Sequence, residues 1–152
     1  MKDKEDLFIK IKLNKRTLDR YIARKENFKF ISESLPLCRG KLLDFGCGQM
    51  PYRKFILLNS GISEYLGIDI ENALDYNSVQ PDIRWDGKVL PFKSNSFDTV
   101  LATQVLEHCF DFKSSIDEIF RVLKSDGVFI GTIPFVWPLH ETPYDFYRYT
   151  PY

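Results

Sequence analysis

An apolar run that ends in an acid and two spaced glycines, residues 42–48 (Leu-Leu-Asp-Phe-Gly-Cys-Gly), constrains this chain more than any other segment. Apolar residues followed by glycines are typical of a buried strand that enters a tight turn. Gly46 and Gly48 permit positive φ and have no Cβ, so a ligand can approach their backbone closely. The segment therefore predicts a ligand-binding turn at the end of a strand.

The acid before the glycines, Asp44, separates two interpretations of this turn. A dinucleotide-binding turn uses three glycines to place a pyrophosphate at a helix N-terminus, whereas Gln49 and Met50 follow Gly48 here. A carboxylate repels a pyrophosphate and attracts an ammonium or sulfonium group. S-adenosylmethionine has both cations and no phosphate, so it is favoured over a nicotinamide cofactor. A nicotinamide oxidoreductase stays the less favoured alternative, and a plain tight turn is a third.

A second acid follows the glycines at the spacing expected for a ribose ligand. Residues 64–70 read as a short buried strand, and Asp69 lies near its end, about twenty residues beyond the glycine turn. A carboxylate at this place can accept hydrogen bonds from ribose hydroxyl groups. The alternative is a solvated acid at the end of a strand.

Further motifs in the same order make the chain resemble a known family. The sequence resembles the class I S-adenosylmethionine-dependent methyltransferases, most closely the type 11 methyltransferase domain, over residues 38–134. The matching segments are 44–48, Asp69, 86–92, 96–100, 104–108 and 119–127.

The resemblance implies which residues border the cofactor, S-adenosylmethionine. Asp69 would hold the ribose, Ile70 would press on the adenine face, Asp86 would meet the adenine amino group, and Gln104 would lie near the methionine end. The full set implied for the cofactor is Asp44, Phe45, Gly46, Cys47, Gly48, Asp69, Ile70, Asp86, Gly87 and Gln104.

Strand-like and helical patterns alternate along the chain, which predicts an α/β fold with a parallel sheet. The expected strands are 41–45, 65–69, 83–85, 98–102 and 128–133, with helices over 51–60 and 112–123. Leu18, Tyr21, Ile22, Phe28, Ile31 and Leu35 recur at near-helical spacing. We therefore expect a helical, basic segment over 1–37 that covers the sheet, and a methyltransferase domain over 38–152. The family implies a Rossmann-like, doubly wound sheet.

Composition bounds the partners of the chain. With 152 residues, 44% apolar residues and no formal net charge, it has room for one core and no overall electrostatic preference for nucleic acid. No apolar run reaches membrane-spanning length, and the charged N-terminal segment lacks the apolar block of a secretory signal. We therefore expect a cytoplasmic protein. Cys38, Cys47 and Cys109 have no metal-binding or disulfide spacing, so no metal site is predicted.

The acceptor side of the reaction is less explicit in the sequence. His140 is the candidate base, because histidine exchanges a proton near neutral pH; a simple surface loop is the alternative. Nucleobase-amine methyltransferases of this class have an Asn/Asp-Pro-Pro-aromatic motif where this chain has residues 103–106 (Thr-Gln-Val-Leu), so a small-molecule acceptor is favoured. The candidate acceptor-pocket residues are His108, Trp137, Glu141, Tyr144 and Arg148.

The sequence also predicts that the fold is incomplete. The family has a final antiparallel strand pair for which no segment remains, and Thr150-Pro151 resembles the start of a helix. Residues 128–133 would then form an exposed apolar edge that favours a homodimer. A non-catalytic S-adenosylmethionine-binding subunit, or a truncated inactive fragment, is the alternative to an active enzyme.

Overall fold

The structure, a computed structural model, describes residues 5–71 and 79–150. Its strands are β1 Arg39–Phe45, β2 Gly61–Ile70, β3 Ile83–Trp85, β4 Phe97–Thr103 and β5 Leu123–Thr132. Its helices are α1 Glu5–Phe8, α2 Tyr21–Ser34, α3 Arg53–Asn59 and α4 Phe112–Val122. Single 3-10 turns occupy Leu35–Leu37 and Leu106–His108.

The five strands form one parallel sheet in the order β3-β2-β1-β4-β5. The prediction of a doubly wound α/β sheet with five parallel strands is confirmed. From β1 the chain adds β2 and β3 on one side of that strand, and it then crosses to add β4 and β5 on the other side. Since ligands of such sheets bind outside the carboxyl ends of the strands where the order reverses, the crevice between the ends of β1 and β4 is the expected site.

Helices cover both faces of this sheet. Neighbouring residues Leu42 and Leu43 are both fully buried but belong to opposite faces, because successive side chains of a strand point to opposite sides. One core contains Ile31 of α2 and Ile56 of α3, and the other contains Ile119 of α4. Burial on both faces explains why the strands read as continuous apolar runs.

The N-terminal stripe is buried only in part, whereas α4 begins at the residue that the sequence predicts. Only the second half of the predicted N-terminal stripe is buried: Ile31 is 2% exposed, whereas Ile22 is 73% exposed. Leu18 lies before α2, in turns where Thr17 Oγ1 accepts a hydrogen bond from the backbone N–H of Asn14 at 3.1 Å. α4 begins at an N-cap, Asp111, which accepts a hydrogen bond from the backbone N–H of Ser114 at 3.0 Å.

The chain after β5 contains no helix or strand over residues 133–150. It is tied to the 3-10 turn that follows β4, since the backbone N–H of Phe146 donates to the carbonyl of Glu107 at 2.9 Å. The helix start expected at Thr150-Pro151 lies partly outside the described residues. Within the described ranges, no helix combines the length and the apolar character needed to cross a membrane.

Candidate functional site

A cleft of about 670 Å³ lies at the carboxyl ends of the strands. Residues at the ends of β1, β2 and β3, together with the segment after β4, form one end of it. The start of α4 and one residue of the chain after β5, Glu141, also line it. The volume falls in the range of small-molecule sites, and the position is that expected for an open α/β sheet.

The glycine turn forms one wall and its backbone requires glycine. Gly46 and Gly48 have φ of +66° and +47°, and both line the cleft. A Cβ on Gly46 would lie 2.0 Å from Cγ2 of Val105. The backbone N–H groups of Gly46 and Cys47 donate to the carbonyl of Ile68 at 2.9 and 3.1 Å, so β2 fixes the turn after β1.

Asp69 joins this turn to the end of β2. Its carboxylate accepts hydrogen bonds from the backbone N–H of Gly48 and of Ile70, each at 2.9 Å. Burial raises the pKa of Asp69, while these two hydrogen bonds act in the opposite direction. Asp69 lines the cleft, so a carboxylate and the glycine turn face the same space.

Asp44 and Cys47 do not line the cleft, which differs from the sequence-based expectation. Asp44 is 3% exposed, and the Tyr65 hydroxyl donates to its Oδ2 at 2.5 Å. Its Oδ1 has no partner among the described residues, and burial raises the pKa of Asp44 to about 7. Burial also raises the pKa of the Cys47 thiol. Asp44 points away from its cleft-lining neighbour Phe45, because successive side chains of a strand alternate, and Cys47 packs in the core that contains Leu42 and Tyr65.

The wall formed by the ends of β2 and β3 is partly apolar. Ile70 is 44% exposed and lines the cleft beside Trp85, Asp86 and Gly87. Asp86 Oδ1 accepts a hydrogen bond from the backbone N–H of Lys88 at 3.0 Å. Gly87 has φ of +79°. An apolar side chain next to a carboxylate suits a flat ring that bears an amino group.

Gln104 follows β4 in a left-handed conformation with φ of +52°. Its backbone N–H donates to the carbonyl of Thr132 at 2.9 Å, and its Nε2 donates to Thr132 Oγ1 at 3.2 Å. Both bonds hold Gln104 and Thr132 together where β4 and β5 end. Gln104 lines the cleft, as do Phe45 and Val105.

Of the residues expected in an acceptor pocket, His108 and Glu141 line the cleft. Trp137, Tyr144 and Arg148 do not, nor does the candidate base His140. The Arg148 guanidinium donates to both oxygens of Asp145, at 2.5 and 2.6 Å, and to the carbonyls of Trp137 and Pro138, both at 3.1 Å. Arg148 therefore fixes the chain after β5. The sequence does not indicate that the Arg148 guanidinium donates to nearby backbone carbonyls.

The His140 ring packs against the His108 ring and does not line the cleft. The two rings are 4.9 Å apart between centroids and nearly perpendicular, at 78°. His108 Nδ1 lies 2.7 Å from the carbonyl oxygen of Tyr144. Glu107, the residue before His108, is fully buried, and both its carboxylate oxygens lack partners among the described residues. Burial raises the pKa of Glu107 to about 7.

The comparison with family models decides the family. The model described as a methyltransferase domain, of type 11, matches residues 43–131.

The chain belongs to the type 11 methyltransferase domain family.

A human protein is among the relatives of this methyltransferase domain. The human protein named arginine-hydroxylase NDUFAF5, mitochondrial, is 34% identical over 132 residues, which cover 83% of this chain and 34% of that protein. The chain spans about a third of the length of the curated relatives it matches.

Solved structures show the same fold. An S-adenosylmethionine-dependent methyltransferase from Mesorhizobium loti superposes with a TM-score of 0.58 at 21% identity, covering 71% of this chain and 53% of that one. A chain in the complex of the Haloferax volcanii Trm112 methyltransferase activator with a methyltransferase gives a TM-score of 0.56 at 24% identity, covering 69% and 50%.

S-adenosylmethionine is the cofactor that membership of this methyltransferase family implies, and the residues of the cleft fit it. Gly46 and Gly48 line the cleft without side chains, so a ligand can lie against the backbone of the turn. Asp69 supplies a carboxylate at the wall, and Ile70 supplies an exposed apolar surface. Carboxylate and apolar groups match the ribose hydroxyl groups and the adenine ring of the cofactor.

Several residues that line the cleft of this methyltransferase domain were not predicted from the sequence. Glu71 lies two residues beyond Asp69, and its acidic character next to that motif was an available signal. Asp111, Ser114 and Ser115 line the cleft at the start of α4. Their Asp-x-x-Ser pattern marks a helix N-cap. That pattern predicts a helix start but does not indicate that the start faces a ligand.

Proposed function

We propose that this chain binds S-adenosylmethionine in the cleft and transfers its methyl group to a small-molecule acceptor. The observation that supports this most is the bond from the Gly48 N–H to the Asp69 carboxylate. It brings the glycine turn and the acid of β2 to one wall of a cleft at the place where the strand order reverses. When bound, the cofactor supplies a methyl group on an activated sulfonium.

The cleft residues would hold the cofactor in one orientation. Asp69 would accept hydrogen bonds from the ribose hydroxyl groups, and Ile70 would pack against the adenine face. Asp86 would accept a hydrogen bond from the adenine amino group, with Gly87 beside it. Gln104, fixed by Thr132, would border the methionine end next to Gly46.

An acceptor would occupy the end of the cleft formed by the start of α4 and the chain after β5. Small polar side chains of the cleft would orient the acceptor by hydrogen bonds. They are His108, Asp111, Ser114, Ser115 and Glu141. Methyl transfer from a sulfonium is an in-line displacement, so alignment and exclusion of water supply much of the rate. The chain also lacks the motif typical of nucleobase-amine methylation after β4.

His140 does not line the cleft, whereas His108, whose ring centroid is 4.9 Å from that of His140, does. The role of a base that the sequence suggested for His140 is therefore not part of this proposal. A base is not required when the acceptor atom is already nucleophilic. His140 would instead act on the cleft through His108.

A second candidate is a function that binds S-adenosylmethionine without methyl transfer. The human relative, 34% identical to this chain, is named an arginine hydroxylase, which is compatible with a different use of the same fold. Calorimetry and acceptor profiling separate the two. Both candidates predict S-adenosylhomocysteine binding, and only the first predicts methylated products.

The test uses the purified chain. Titration with S-adenosylhomocysteine should give binding at one site, whereas NAD should give none. Incubation with methyl-labelled S-adenosylmethionine and pools of small-molecule acceptors should then transfer label, and mass spectrometry should identify the product by the added methyl group. Binding without any transfer favours the second candidate. Binding of NAD in place of S-adenosylhomocysteine contradicts both.

The proposal includes a homodimer and a cytoplasmic location, as the sequence suggests. β5 lies at one edge of the described sheet, and an edge strand presents unpaired backbone groups to a second chain. Light scattering tests the dimer directly: a monomer at all concentrations contradicts it. The human relative is named mitochondrial. Fractionation of the cells that produce this chain therefore tests its location.

A further inference from the structure

Three side chains with metal-binding atoms meet beside the acceptor end of the cleft. One ligand atom each from Glu107, His108 and His140 lies within 4.8 Å of the other two. The chain has two histidines in all, and the fold brings both to this one carboxylate. His140 arrives from the chain after β5, which the Phe146 N–H ties to the carbonyl of Glu107.

Glu107 gives the independent sign that something is bound here. Its side chain is fully buried, and neither carboxylate oxygen has a hydrogen-bond partner among the described residues. The His108 Nε2 atom is 3.9 Å from Oε1 of Glu107, which is too long for a hydrogen bond. Native proteins rarely leave a buried carboxylate without a partner, and a cation supplies both the missing charge and a bond to oxygen.

One histidine has a neighbour of the kind that orients a metal ligand, and the other has an unpartnered ring nitrogen. His108 Nδ1 lies 2.7 Å from the carbonyl oxygen of Tyr144, and a carbonyl is a usual second partner of a metal-bound histidine. A carbonyl only accepts, so Nδ1 holds the proton, and in the neutral ring the lone pair is then on Nε2, toward Glu107. The His140 Nδ1 atom is 3.2 Å from Oδ2 of Asp145, but it is buried and makes no hydrogen bond within the described residues.

We propose that Glu107, His108 and His140 bind one divalent first-row transition metal ion at the acceptor end of the cleft. Two imidazoles and one carboxylate are the donor set of several catalytic zinc sites and of non-haem iron(II) sites, which leave coordination positions open. His108 lines the cleft, so an open position would face the acceptor. The spacing of the cysteines predicts no metal site, and no local motif joins His140 to Glu107 and His108.

The geometry requires only small adjustments on metal binding. Ligand atoms about 2.1 Å from a tetrahedral zinc ion are about 3.4 Å apart, compared with separations of up to 4.8 Å here. Side-chain rotations of Glu107 and His140 would bring their ligand atoms closer together by about an ångström. The proposal goes beyond methyl transfer, and its test does not depend on that activity.

The experiment titrates the chelator-treated full chain with Zn²⁺ in a calorimeter. We expect one ion bound per chain, with affinity at least about tenfold lower in Glu107→Gln and in His140→Asn. Glu64→Gln makes the same chemical change at an exposed carboxylate and should leave affinity unchanged. Cys109→Ser should also leave it unchanged, which excludes the nearby thiol as the ligand.

Two calorimetric results would overturn the proposal. One is the absence of a single-site isotherm in the wild-type chain, and the other is unchanged affinity in Glu107→Gln. This variant preserves shape and removes a buried charge, so it should fold, and circular dichroism checks that it does. Co²⁺ gives a second readout: the bound ion should show visible absorption bands of a histidine-ligated site, and these bands should be absent in His140→Asn. Retention of the bands in that variant contradicts the proposed ligand set.

Discussion

Two groups of carboxylates lie in or beside the cleft, and their hydrogen bonds differ. At the cofactor end, Asp69 accepts two backbone hydrogen bonds, and Asp44 behind it accepts one from the Tyr65 hydroxyl. At the acceptor end, Glu107 is fully buried with no partner for either oxygen among the described residues. At the first end three of the four carboxylate oxygens accept a hydrogen bond, and only Oδ1 of Asp44 has no partner among the described residues. The second is arranged to receive a group that neutralises Glu107.

The difference follows from the elements that build each end. Adjacent parallel strands, β1 and β2, form the cofactor end, and their register brings Asp44 opposite Gly67. The acceptor end combines a 3-10 turn with the irregular chain after β5. Strand pairing fixes backbone positions through many hydrogen bonds, whereas loops are fixed by a few side chains such as Arg148. We therefore expect substitutions at the first end to act globally and those at the second to act locally.

The largest expected effect is that of Gly46→Ala at the cofactor end. The added Cβ would lie 2.0 Å from Val105 Cγ2, and φ of +66° is strained for alanine. Overpacking and backbone strain together should lower the free energy of unfolding by about 2 to 4 kcal/mol. Binding of S-adenosylhomocysteine should fall below detection. Urea denaturation and calorimetry measure the two effects.

A matched control separates strain from the clash in this prediction. Gly87 also has positive φ, +79°, but a Cβ there would lie 3.6 Å from its nearest neighbour, Ile70. Gly87→Ala should therefore show only the strain, about 1 kcal/mol. Adding Val105→Ala to Gly46→Ala should restore part of the lost stability. Equal effects of the two glycine substitutions contradict the steric explanation.

Asp44→Asn should change how stability depends on pH. The folded-state pKa of Asp44, about 7, is above its usual value of 3.8, because burial outweighs the Tyr65 hydrogen bond. The folded protein thus binds more protons than the unfolded chain between these values. Stability from this group is present at low pH and is lost as pH rises through 7. Between pH 5 and pH 8 the wild type should lose about 2 to 3 kcal/mol relative to the variant.

Thermal unfolding at several pH values measures this difference. Asp126→Asn is the control, because the Asp126 side chain is 78% exposed, and it should follow the wild type at every pH. Parallel pH curves for wild type and Asp44→Asn would show that Asp44 is ionised in the folded state. The buried acid would then have to be stabilised as an anion by its surroundings.

The cofactor end was largely predictable from the sequence because its signals are local. Strand 41–45 was expected and β1 is Arg39–Phe45, and the turn glycines do line the cleft. The orientation of Asp44 was not foreseen. Whether a side chain at the end of a strand faces a ligand or the core depends on the neighbouring strand, here on Tyr65 of β2.

The acceptor end was much less predictable, since its contacts join distant parts of the chain. Glu107 and His140 come together only through the path of residues 133–150, which has no periodic pattern. Trp137 and Arg148 were expected to face an acceptor, but the carbonyl of Trp137 accepts a hydrogen bond from Arg148. Their place near His140 in the loop after strand five made these residues functional candidates, and only the folded chain shows which of them stabilise that loop.

Asp69→Asn sharpens the description of the cofactor end. The amide oxygen can still accept the Gly48 N–H, so the turn should keep its shape, while the charge that strengthens a bond to ribose is lost. Affinity for S-adenosylhomocysteine should fall by about 1.5 to 3 kcal/mol, with little change in thermal stability. Asp69→Ala should lose both affinity and stability. Calorimetry and thermal unfolding decide, and an unchanged affinity in both variants would exclude Asp69 as a cofactor ligand.

The smallest expected effect tests the acceptor end. The Tyr147 hydroxyl donates to the carbonyl of Phe110 at 2.8 Å, which links the chain after β5 to the segment before α4. Tyr147→Phe removes this solvent-accessible bond at a cost of about 0.5 to 1 kcal/mol. Because loops hold this end, the cost should appear as local opening. Amide hydrogen exchange over residues 140–149 should become faster, with the urea midpoint of the whole domain unchanged.

Tyr144→Phe is the control: it removes a hydroxyl from a ring that is 67% exposed and should leave exchange as in the wild type. A shift of the urea midpoint in Tyr147→Phe, with uniform changes in exchange across the sheet, would mean that the two ends of the cleft unfold together.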